Sequence, residues 1–163
     1  MPEKATIERA RRDKRQGKAP STQAGEFVHE EIDHVRKGKH GARSTKQAIA
    51  IGLSKARRAG VKLPAPKAGQ ASTRTRRSAE YALREGQHPH KPSAKRSRAT
   101  EGALKREGHS ATSRTALSKQ AKSASRKRSA SSRHEAAMKA VRTKGAAGRH
   151  RAAVKAARTR AHH

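Results

Sequence analysis

Glu30, Glu31 and Asp33 fall within one short stretch of the 163-residue chain, and ten histidines are scattered along it. Paired carboxylates can trade protons with a substrate, and imidazoles can hold a metal or gain charge below about pH 6.5. The spacing argues against both uses. His29 and His34 are five apart, which sends them to different faces of a helix. His88 and His90 flank a proline, and His162 and His163 are neighbours. None has the i, i+4 partner and third ligand that a zinc site requires. Arg36, Lys37 and a basic loop follow the acidic cluster directly. Charge balance, or a surface turned away from DNA toward a partner, accounts for it. There is no cysteine, no Gly-rich phosphate loop and no catalytic triad pattern. The chain is expected to have no catalytic residues, no cofactor and no metal, and to be no enzyme.

The cations are the stronger signal. Residues 111–163 carry fifteen Lys or Arg and a single acid, Glu135. Such an excess requires a polyanion, and nucleic acid is the commonest one. The expected phosphate ligands in this stretch are Arg126, Lys127, Arg128, Lys139, Arg142, Lys144, Arg149, Arg151, Lys155, Arg158 and Arg160. Arg57 and Arg58 add an anchor at the end of a helix. Phosphate contacts bind through counterion release and are insensitive to base sequence. Phe27 and Tyr81 are the only aromatic rings besides histidine. Stacking platforms for single strands are therefore lacking, which favours duplex DNA over RNA.

What must position these groups is limited by composition. Net charge is +30, and aromatic residues make up 1% of the chain. Residues 1–66 hold 16 basic and 7 acidic groups, whereas residues 67–163 hold 26 and 5. The first region is charge-mixed and able to fold, though a domain of about 60 residues is marginal. The second reads as a polycation. No apolar run approaches the roughly 20 residues of a membrane span, and no secretory signal is apparent at the start.

Four regions follow: a basic arm over 1–20, a helical hairpin over 21–66, a linker with short helices over 67–110, and a polycationic tail over 111–163. In the hairpin, Ala24, Phe27, Val28, Ile32 and Val35 recur in steps of three and four, which predicts an amphipathic helix over 22–37. Gly38 and Gly41 break it. Ser44 and Gln47 match a capping box. They open a second helix whose face carries Ala48, Ile49, Gly52, Leu53 and Ala56, with Gly60 as its stop. A third helix is expected from Thr73 to Gly86, with Tyr81 and Leu83 as its apolar content. Prolines in HPHKP break the chain after it.

The tail repeats itself. His134 to Lys144 aligns with His150 to Arg160 at an offset of sixteen, and Gly145 and Gly148 separate the copies. Each copy is Ala-rich, which favours helix, but short, and like charges repel along it. With little to bury, the tail is expected to be largely disordered alone and to gain helix on DNA. The fold class is therefore all-α: a small helical hairpin at about 21–63, further short helices and a disordered Ala/Lys/Arg-rich tail.

The stretch GEFVHEEIDHVRKGKHGARSTKQAIAIGLSKARRAGVKLP resembles a small uncharacterised domain of basic bacterial proteins. The likeness rests on His29-Glu30, Gly38 to Gly41, Lys46 to Ala50 and Leu53-Ser54. The tail is similar in style to bacterial proteins resembling the linker-histone tail. Neither resemblance implies catalysis. The expectation is a histone-like, nucleoid-associated protein of the cytoplasm or nucleoid that binds duplex DNA without sequence preference and compacts or protects it. RNA or ribosome binding is the alternative partner, and a protein partner for the 21–66 hairpin is a third.

Overall fold

A computed structural model of the protein describes residues 2–88 and 93–161. The break expected at Pro89 to Pro92, and with it His90, lies outside the described residues, as do His162 and His163. Among the described residues the structure is entirely helical. Seven α-helices follow in order: α1 (Lys4–Arg15), α2 (Pro20–Arg36), α3 (Thr45–Arg58), α4 (Thr73–Gln87), α5 (Ala94–Lys105), α6 (Arg114–Arg126) and α7 (Ala130–Ala161). A 3-10 turn, Ser110–Thr112, lies between α5 and α6. None of these helices is long and apolar enough to cross a membrane. The chain forms two compact units, residues 1–120 and 121–163.

The first unit is built on the α2–α3 hairpin. Of the face expected on α2, Ala24, Phe27 and Val35 are buried, while Val28 and Ile32 are half-buried. On α3, Ala48, Gly52 and Ala56 are buried, with Ile49 and Leu53 half-buried. The helices cross closely. A Cβ on Gly52 would lie 2.7 Å from the Cα of Val28. Ser44 caps α3 by accepting from the N–H of Gln47 at 3.2 Å. Gln47 Oε1 returns the bond to the N–H of Arg43 at 2.8 Å, one residue earlier than an ordinary capping box. At the other end Gly60 takes φ +87°. Val61 N–H then reaches Ala56 O at 3.1 Å, and Gly60 N–H reaches Arg57 O at 3.0 Å, a Schellman stop.

Two segments join this hairpin that composition did not reveal. Residues 4–15, read as part of a charged arm, form α1 and bury Thr6, Ala10 and Asp13. Ala10 enters one apolar cluster with Ala24, Phe27, Ala56 and Val61, and Ile7 packs beside it. Asp13 is held by the ammonium of Lys18 at 2.6 Å. The second joining segment is the stretch after α5. Gly41 N–H donates to Leu104 O and Ala42 N–H to Gly108 O, both at 2.9 Å. Thr45 Oγ1 donates to Ala111 O at 2.6 Å, and Arg36 Nε to Thr112 O at 2.9 Å. Ala111 completes a second cluster with Val35, Ala42 and Ala48. Residues 111 and 112, assigned from the sequence to the tail, are thus buried in the first unit.

Eight of the eleven buried apolar residues among the described residues are alanines, and Phe27 is the largest fully buried side chain. The core is therefore one of close backbone approach rather than interlocked large side chains. Helix α4 illustrates it: Ala79 and Ala82 are buried, while Tyr81, expected as apolar content, is 40% exposed beneath the guanidinium of Arg84, 5.6 Å from the ring centroid.

The second unit corrects the expectation of a disordered tail. Residues 130–161 are helical, interrupted at Gly145, where φ is +61° and ψ −178°. The break falls between the two copies of the repeat. The fifteen-to-one charge count overstated the repulsion. Within α7 the like-charge neighbours are Arg151 and Lys155 four apart, and Lys139 with Arg142 and Lys155 with Arg158 three apart, while Glu135 precedes Lys139 by four in the favourable sense. Each such pair is worth only about 0.2–0.5 kcal/mol. Eleven alanines in 32 residues supply the propensity that wins. No residue of α7 is buried.

Candidate functional site

All eleven tail cations expected to meet phosphate are exposed. Arg126 ends α6, Lys127 and Arg128 form the turn after it, and the other eight lie on α7. None is held in an ion pair among the described residues. Helix geometry sorts those on α7. At 3.6 residues per turn, Arg151, Lys155 and Arg158 share one face, where they line a shallow surface groove with His150 and Val154. Arg149 and Arg160 fall on the opposite face. The first copy repeats the scheme, with Lys139 and Arg142 on one side and Arg133 and Lys144 on the other. Thr143 Oγ1 bonds Lys139 O at 2.9 Å, and Thr159 Oγ1 bonds Lys155 O at 3.0 Å, so the repeat is mirrored in its hydrogen bonds.

The two cations expected at the end of α3 separate. Arg58 is exposed. Arg57 is 5% exposed, with Nε donating to Leu63 O and Nη2 to Pro64 O, each at 3.1 Å. Burial lowers its pKa from the usual arginine value. Arg57 secures the turn after α3 instead of facing a ligand, because the Schellman stop folds those carbonyls back over it.

A cluster that the sequence did not disclose lies between α2, α3 and the loop joining them. Glu31 is fully buried and Glu30 is 4% exposed. Lys55, from α3, reaches across the hairpin, with Nζ 2.6 Å from Glu31 Oε2 and 3.9 Å from Glu30 Oε1. His40, from the loop, brings Nε2 to 3.3 Å from Glu31 Oε1. His34 Nε2 lies 2.9 Å from Glu3 Oε1 and 3.8 Å from Glu30 Oε1. Glu3 also accepts from Lys39 Nζ at 2.9 Å, and the two hydrogen bonds hold its carboxyl at about 2. His29, on the other face as expected, pairs with Asp33 at 3.5 Å. The Glu31–His34 spacing of one helical turn was a legible half of this arrangement. His40 and Lys55 join it only through the fold.

No curated protein and no solved structure matches the chain. Residues 3–67, which take in α1 to α3 and every member of the buried charge cluster, match the model of a family of unknown function (DUF6496).

Proposed function

We propose that the protein binds duplex DNA through its phosphates, without sequence preference, and compacts or protects it as a nucleoid-associated, histone-like protein. The role is binding rather than catalysis. One observation carries the reading: the second unit presents its cations on exposed helices, unpaired and on two opposite faces of each repeat. A helix with side chains is about 10–12 Å across, and the major groove is about 12 Å wide. A helix charged on both sides can therefore meet both phosphate walls of one groove, or bridge two duplexes. Neither role needs a base contact. Arg58 adds a contact from the first unit, and Arg57 does not take part.

The test is a titration of the full chain against unrelated duplexes and a folded RNA at several salt concentrations. With about ten phosphates engaged, log K against log salt should fall with a slope near −9, equally for every duplex. A shallow slope, or one duplex preferred a thousandfold, would move recognition to a folded reader in the first unit. Tighter binding to the RNA would replace DNA as the ligand.

A further inference from the structure

We infer that Glu31, His34 and His40 form a binding site for a zinc-class divalent cation. One ligating atom from each lies within 4.8 Å of the others. Around tetrahedral zinc, bonds of about 2.0–2.2 Å set donors about 3.3–3.6 Å apart, so the widest pair closes by up to about 1.5 Å to complete the triangle. Two imidazoles and a carboxylate are a donor set zinc favours.

Two observations besides the clustering point to a ligand. The first is the state of Glu31. Its side chain is fully buried, yet neither carboxylate oxygen accepts a directed hydrogen bond. Lys55 Nζ pairs with Oε2 at 2.6 Å and balances the charge, but makes no directed hydrogen bond to it. A buried carboxylate in that condition is costly unless something coordinates it. The second is the orientation of His40. Its Nδ1 lies 3.0 Å from Gly41 O. A proton on Nδ1 donated to that carbonyl leaves Nε2 as a bare lone pair 3.3 Å from a carboxylate oxygen. Two acceptors facing each other need either a proton or a metal ion between them, and the Zn²⁺ test separates the two. A backbone carbonyl holding the far nitrogen is also how metal-binding histidines are commonly oriented.

The site has an exchange partner for its charge. With neutral imidazoles, Glu3, Glu30 and Glu31 outnumber Lys39 and Lys55 by one. When the metal enters, Lys55 swings from Glu31 to Glu30, which its ammonium already approaches. Its side chain is 22% exposed and has room to turn.

The probe is Zn²⁺ alone, added to the full chain free of nucleic acid. Saturating Zn²⁺ should raise the melting midpoint of the first unit by about 5–10 °C. His34→Ala and His40→Ala should each abolish that rise, whereas His29→Ala and His150→Ala should keep it. A rise that survives His40→Ala, or no rise in the unaltered protein, overturns the proposal. Because the Ala variants disturb a small core, the histidine ring nitrogens of the unaltered protein give a second reading by NMR. One equivalent of Zn²⁺ should shift both His34 and His40. Shifts confined to other histidines overturn the site equally.

Discussion

The two units reach helical structure by opposite routes. In residues 1–120 the helices are held by one another, through the Phe27 cluster, the Val35 cluster and hydrogen bonds between residues as far apart as Arg36 and Thr112. In α7 nothing is buried, and its side-chain hydrogen bonds, such as Thr143 to Lys139, are local. The first unit therefore has a stability that a core substitution can remove. The second has only alanine propensity, and its side chains are left free for an outside ligand. Packing belongs to the first unit, whereas the second is the more densely charged, with 13 Lys or Arg and one acid in residues 121–163, so changes to one part should leave the other part's behaviour intact.

The largest test of that separation removes charge. Replacing Arg149, Arg151, Lys155, Arg158 and Arg160 with Gln removes five of the proposed phosphate contacts. The counterion term alone predicts a loss of roughly four orders of magnitude in DNA affinity at 0.1 M salt, with a slope shallower by about 4.5. The melting midpoint of the first unit should not move. If affinity survives, the first unit carries the binding. The converse substitution is Phe27→Ala, which empties the largest buried side chain and should cost about 3–5 kcal/mol. In a core composed mostly of alanine that should unfold residues 1–120. Circular dichroism should then lose only part of its helical signal, the remainder coming from α7. A complete loss would show that the units are not independent.

How much of this was legible depends on the range of the forces. Helix stops and caps are local, so Ser44, Gly38 and Gly60 could be read from the chain, as could the buried face of Ala24, Phe27 and Val35. Burial of α1 was hidden because Thr6, Ala10 and Asp13 are small or polar, and the surrounding Arg and Lys residues mask them. The docking of residues 104–112 onto the Gly41 loop is a backbone pairing with no compositional mark. Alanine was undervalued twice. In α4 the sequence points to Tyr81 and Leu83, but Ala79 and Ala82 are the buried residues, and in the tail alanine propensity outweighs spaced charges. Of the expected phosphate ligands, Arg57 was misplaced because its burial follows from the turn after α3. His40 carries no signal in the sequence because only the loop brings it to Glu31.

The smallest predicted effect concerns acid. Glu3 falls from its usual 4.5 to about 2 through hydrogen bonds from Lys39 and His34. Its depressed folded value means that its contribution is present above about pH 4.5 and is lost as pH drops toward 2. Glu3→Gln should flatten the dependence of the first unit's melting midpoint on pH across that window and leave DNA binding unaffected. An unchanged profile would show that Glu3 does not tie the N-terminus to the loop.

The stitching of residues 104–112 onto Gly41, Ala42 and Thr45 has a consequence in time. At synthesis rates of about 5–20 residues per second, the chain from the end of α3 to Thr112 takes roughly three to ten seconds to emerge. Until then the Gly41 and Ala42 amides have no acceptor, and Val35 and Ala48 lack the cover of Ala111. The hairpin waits on the ribosome with one end open. The Phe27 end, whose cluster draws only on residues up to Leu63, can close first. Assembly thus runs from the Phe27 end toward the Glu31 end, and the buried charge cluster lies beside the last seam to be sealed.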